Sequence, residues 1–150
     1  MKKFTRKWIK EWQPCIEAIK WFYDQEERMV VPVLEKLIQE KKYNWANWAI
    51  VRCMKRRQYL KYAIYAASRV LLIFEKKYPE DKRPRQAIQA AKRCLLKDPK
   101  QNKITADAAD AAYAAHVAAD AAVHAAGHAK QKMQKKILNY GIKLLSEKGN

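Results

Sequence analysis

An all-α fold, a compact bundle of about six or seven helices with a central alanine-rich helix, is predicted by three features of this sequence. Only three glycines occur in 150 residues, at positions 127, 141 and 149. No strand-like alternation is sustained anywhere. Apolar residues recur instead at helical spacing, as in Leu60, Ala63, Ile64, Ala67, Leu71, Phe74 and Tyr78. With 49% apolar residues the chain can bury a core and does not read as disordered. All predicted joints are short, so residues 1–150 are read as one helical domain.

The elements follow in order. Pro14 suits a first helical turn, where its missing N–H costs nothing, and opens a helix to about Asp24. Pro32 does the same for Val33 to Lys41. A third helix spans about Asn44 to Met54. A fourth runs from Arg56 to Lys77 and ends at Tyr78, because Pro79 disfavours helix in the residue before it. Residues 79–85, PEDKRPR, read as a turn, and Pro84 starts a fifth helix that stops before Asp98 and Pro99. A sixth runs from Thr105 to about Lys130. A seventh covers 130–145, either continuing the sixth or bending from it near Gly127. Outside a polar stripe the sixth is nearly all alanine, the best helix former, whose small side chain allows close helix approach. It would form a central rod or a homodimer seam.

The N-terminal MKKFTRKWIK is charged, and no apolar stretch of signal-peptide type follows it. No apolar run reaches membrane-spanning length without acids such as Asp107, Asp110 and Asp120 inside it. Cys15, Cys53 and Cys94 form no CxxC pair, which fits reduced thiols in a cytoplasmic protein.

The formal net charge is +17. Charge does not choose a fold, but it selects partners: nucleic acid, phosphorylated small molecules, anionic membranes or acidic proteins. Between Glu40 and Glu75 no acid occurs, while Lys41, Lys42, Arg52, Lys55, Arg56, Arg57, Lys61 and Arg69 do. A second acid-free stretch carries Lys82, Arg83, Arg85, Lys92, Arg93 and Lys97.

The segments NWANWAIVRCM, YAIYAASRVLLIFEKKYPEDKRPRQAIQAAKRCL and AADAAYAAHVAADAA resemble the "putative immunity protein" family, the five-like immunity domain of bacterial and phage genomes. The resemblance extends over most of the chain, from PCIEAIKW onward. Its specific parts are the Trp-x-x-Trp…Arg block and the block from Asp81 through Ala91. It implies a small all-α protein without known enzymatic activity, named for its place in toxin loci. One departure stands out. Inhibitors of nuclease toxins are generally acidic, and a +17 protein would be repelled by a basic active site.

Three constellations are candidate sites. Trp45, Trp48 and Arg52, with Arg56 one turn on, share one face of the third helix. Indoles stack on bases and guanidinium grips phosphate. The competing reading packs both indoles in the core and lets the arginines extend outward. Second, Arg83 and Arg85 flank a helix start whose free N–H groups suit phosphate. There the competing reading is a solvated start capped by Asp81. Third, Asp110, Tyr113, His116, Asp120, His124 and His128 form a polar stripe on the alanine helix. His124 and His128, four apart with Asp120 a turn away, could share a metal, but no histidine lies outside this stripe to complete the set, so no metal is expected, and no cofactor. With no phosphate-cradling glycine loop, GxSxG or HExxH motif, the chain does not read as an enzyme.

The functional expectation is a sponge: a non-enzymatic protein that sequesters an anionic, nucleotide-derived immune signal of the cyclic dinucleotide or cyclic ADP-ribose type. Arg52, Arg57, Arg83 and Arg85 would hold phosphates, Trp45, Trp48 and Tyr113 would stack, and His116 and Asp120 would meet polar edges. The alternatives are an immunity protein that inhibits a toxin by protein binding, and a nucleic-acid binder. The four-arginine site requires the two basic blocks to meet in one pocket.

Overall fold

The structure is a computed structural model that describes residues 3–96 and 127–147. Seven helices occur in the described residues: α1 (Arg6–Trp12), α2 (Ile16–Tyr23), α3 (Val30–Gln39), α4 (Tyr43–Cys53), α5 (Arg56–Lys77), α6 (Arg83–Leu96) and α7 (Gly127–Ser146). No strand forms among them, and the one extended contact is an isolated bridge between Lys3 and Met29. The fold is all-α. The alanine-rich stretch before Gly127 lies outside the described residues.

The first helix, α1, was not anticipated. Its cause is local: the Thr5 hydroxyl accepts from the Trp8 amide at 3.1 Å, capping the helix, and Phe4, Trp8 and Ile9 turn one face inward. It ends at Gln13, whose φ of 43° is left-handed, and Pro14 follows. Pro32 does not open α3 but sits in its third position, two residues after Val30. Proline is tolerated there because first-turn amides have no acceptor within the helix. Pro84 is similarly the second residue of α6. The helix predicted for 56–77 is found with those bounds.

The two sides of α5 organise the packing. Tyr62, Ala66 and Val70 join a main core with α1 to α4 and α7. Leu60, Ala63, Ile64 and Ala67 join Ile88 and Ala91 of α6 in a second core. Helix α7 packs on α3, α4 and α5. Its approach is close at Gly141, where an added Cβ would lie 2.8 Å from both Ile50 Cγ2 and Tyr62 Cε2. Two polar ties fix this junction. The Tyr62 hydroxyl is hydrogen-bonded to Asn47 Oδ1 at 2.7 Å, and the Gln58 amide donates to the Leu144 carbonyl at 2.6 Å.

Candidate functional site

Two concave sites emerge from this packing. The first is a cavity of about 330 Å³ between α1, α2, α3 and α4. Trp8, Trp21, Trp45 and Trp48 line it with Phe4 and Phe22. Helix spacing and neighbouring contacts fix these rings. Trp8 and Trp48 meet edge to face at 5.6 Å, and Trp21 and Trp45 at 6.4 Å. The Trp21 N–H donates outside the cluster to Glu40 Oε2 at 2.7 Å. Gln13, Cys15 and Asn44 supply the cavity's few polar groups, and no charged side chain lines it.

Arg52 stands beside this cavity without lining it. Its guanidinium lies 4.1 Å from the Trp48 ring centre and 5.3 Å from that of Trp12, and Nη1 donates to the Trp48 carbonyl at 3.2 Å. Partial burial lowers its pKa, and Nε is buried without a hydrogen-bond partner among the described residues. The Trp48 ring therefore has a guanidinium on it already, supplied by the residue one turn along α4. Lys42 covers Trp45 in the same way at 5.1 Å. Arg56 and Arg57 are exposed at the start of α5.

The Arg83 and Arg85 block is elsewhere. Helix α6, which carries both, packs on α5 through the second core, and neither residue lines the tryptophan cavity. Both guanidiniums face carboxylates. Arg83 holds Asp81 through Nε at 2.9 Å and Nη2 at 2.6 Å, while its amide donates to Asp81 Oδ1 at 3.1 Å. Arg85 grips Glu75 with two bonds of 2.7 Å. The Arg83 hydrogen bonds hold the Asp81 carboxyl at about 2, and Arg85 holds Glu75 below the usual range. The cavity lined by Trp45 and Trp48 thus contains none of the arginines expected to share it. Tyr113, His116 and Asp120 lie outside the described residues, as does His124. Among the described residues no group of three or more His, Cys, Asp or Glu could hold a metal.

The second site is a groove of about 390 Å³ where α5, α6 and α7 meet. Lys61, Ile64, Tyr65, Ser68 and Arg69 come from α5, Leu95 from α6 and Tyr140 from α7. The α5 residues fall on one helical face by their spacing of three and four. Tyr65 and Tyr140 stack with ring centres 4.0 Å apart and planes at 22°. Arg69 lies over Tyr65 at 4.8 Å. Burial, with the charge of Glu147 adding to it, pushes the Tyr140 phenol up, so it remains a neutral hydrogen-bond donor. Among the described residues no acid lines this groove. Lys61 and Arg69 belong to the acid-free stretch already singled out. Tyr65, Ser68 and Tyr140 carry no sequence signal, because Tyr140 reaches Tyr65 only through the packing of α7 on α5.

Fold and groove together define an all-helical protein with a cationic, aromatic cleft. A family model described as "Imm-5 like putative immunity protein" matches residues 49–145, about two thirds of the chain, and the chain belongs to that family. The match is narrower than the resemblance suggested. It begins at Ala49, so Trp45 and Trp48 precede it while every residue of the groove falls inside it. No curated protein and no solved structure matches the chain. No helix among the described residues is long and apolar enough to cross a membrane.

Proposed function

We propose that the protein is a non-enzymatic sponge that sequesters an anionic, nucleotide-derived signal of the cyclic dinucleotide or cyclic ADP-ribose type, with the α5–α6–α7 groove as its site. The observation that carries this reading is the juxtaposition of Lys61 and Arg69 with the stacked Tyr65 and Tyr140. Cations pair with phosphate through charge-assisted hydrogen bonds. Tyr65 is already stacked on Tyr140 and lies under Arg69, so a base would pack on the Tyr140 side of the pair, and Ser68 and the Tyr140 phenol offer polar contacts to a ribose. Sequestration needs tight stoichiometric binding and no turnover. This reading centres on Lys61, Tyr65, Ser68, Arg69 and Tyr140, whereas the sequence expectation centred on Trp45, Trp48, Arg52, Arg57, Arg83 and Arg85.

Thermal shifts against cyclic dinucleotides, cyclic and linear ADP-ribose derivatives, mononucleotides and short DNA or RNA test this. A ligand at about a hundred times its dissociation constant adds about 2.7 kcal/mol, or about 5–10 °C for a chain of this size. The expected result is a shift with one cyclic signal that is lost in Arg69→Ala and Tyr65→Ala. A shift retained by both variants would move the site elsewhere. A response confined to oligonucleotides and steeply weakened by salt would make the protein a nucleic-acid binder.

A second reading is favoured by the family description: an immunity protein that inhibits a toxin by binding it. The same cationic groove would then meet an acidic protein surface. A stoichiometric complex with one protein, indifferent to the whole nucleotide panel, is the outcome that selects it.

A further inference from the structure

The tryptophan cavity plays no part in the proposed sponge. All of its lining except Ala49 precedes the matched segment, in residues 4–48. Yet four of the chain's five tryptophans line it. We propose that this cavity is a second binding site, specific for a neutral, flat aromatic small molecule of about two fused rings.

Size, wall chemistry and access each support this. A dry apolar cavity of about 150 Å³ accepts benzene, so one of about 330 Å³ suits a bicyclic ring. The walls are indole and phenyl carbon in edge-to-face pairs, the geometry that aromatic rings adopt with one another. The Trp21 N–H, which could have offered a donor inside, is bound outside by Glu40. Among the described residues no cation or acid lines the cavity, so charge on the ligand would be desolvated without a partner. That separates this site from the cationic groove, and it matches the usual make-up of small-molecule pockets, mostly apolar with a few polar groups. Three lining residues are exposed and leave the cavity accessible: Gln13 and Cys15 on either side of Pro14 at the α1–α2 joint, and Asn44 at the start of α4.

The exposed Cys15 thiol makes the site readable. Burial pushes the Cys53 thiol up to about 12, so it does not compete for a thiol reagent. The experiment titrates the full chain with 1-naphthol, using naphthalene-1-sulfonate as the charged control. Binding is followed by calorimetry, by the indole N–H resonances and by the maleimide alkylation rate of the Cys15 peptide. We expect saturable binding of naphthol, slower Cys15 alkylation in proportion to occupancy, and shifts at Trp8, Trp21, Trp45 and Trp48 larger than at Trp12. Ala18→Phe fills the cavity from α2 and abolishes binding, while Arg69→Glu leaves it unchanged. If Ala18→Phe loses its helical circular dichroism, Ala18→Leu provides the same test with a smaller fill. No saturable binding to the folded chain overturns the proposal. So does equal binding of the sulfonate, or binding that survives a folded filled variant. None of these results bears on the groove, which is tested by nucleotides and by Arg69.

Discussion

The tryptophan cavity and the tyrosine groove are of similar size, about 330 and 390 Å³, and both have aromatic walls. Only the groove has cations in its lining. In the first region Arg52 and Lys42 lie over Trp48 and Trp45 but do not line the cavity. In the second region Lys61 and Arg69 line the groove itself, Arg69 over Tyr65, and no carboxylate is among the described lining residues. The contrast shows that a net charge of +17 does not say where an anion would bind. What matters is which cations line a cleft and, among the described residues, have no carboxylate gripping them. By that criterion Arg83 and Arg85, each gripping a carboxylate, are weaker candidates than Arg69.

The two regions meet at the α4–α5–α7 junction, and substitutions there test whether they depend on one another. The largest effect is expected for Ile50→Ala. Ile50 is fully buried, and its loss should cost about 2–5 kcal/mol in urea unfolding, through lost burial and the cavity left behind. Both regions should weaken together. Gly141→Ala comes next, at about 1–3 kcal/mol, because its Cβ would press on two well-packed side chains, Ile50 and Tyr62. Equal denaturation midpoints for Gly141→Ala and wild type would mean that α7 can shift without consequence. Tyr62→Phe should cost about 1 kcal/mol through loss of the hydrogen bond with Asn47.

The smallest effect sharpens the contrast at Arg83. Asp81 titrates at about 2 in the folded chain, below its unfolded value of about 3.9. A depressed folded value means that the pair's contribution is present above the unfolded pKa and is lost as pH falls towards about 2. Arg83→Ala should therefore return the Asp81 carboxyl resonance to an ordinary titration, with no measurable change in stability at pH 7 because the pair is exposed. An unchanged Asp81 titration would show that Arg83 is not its partner in solution.

Much of the fold was legible because helical propensity and proline are local signals. The bounds of α5 follow from its apolar spacing and from Pro79, and α4 was placed within a residue or so at each end. Helix α1 was missed because its seven residues are mostly charged, and only packing on Phe22 and Trp48 shows which face is buried. The start of α3 was placed late because a proline fits anywhere in a first turn. For the site, Trp45 and Trp48 were recognised as neighbours on one helix. Their stacking partners, Arg52 from the same helix and Trp8 and Trp21 from α1 and α2, were not all foreseeable from spacing.

The sequence by itself determined the helical class, the family and the basic stretch that contains Lys61 and Arg69, since composition, propensity and motif are properties of the chain read in order. The tertiary structure decided which aromatics meet and which arginines are already paired. Tyr65 and Tyr140 are 75 positions apart, Trp8 and Trp48 are 40 apart, and the Glu75 partner of Arg85 lies across a turn on another helix. Contacts of that kind depend on how whole helices pack, and Gly141 is where the packing brings α7 close enough to make one of them.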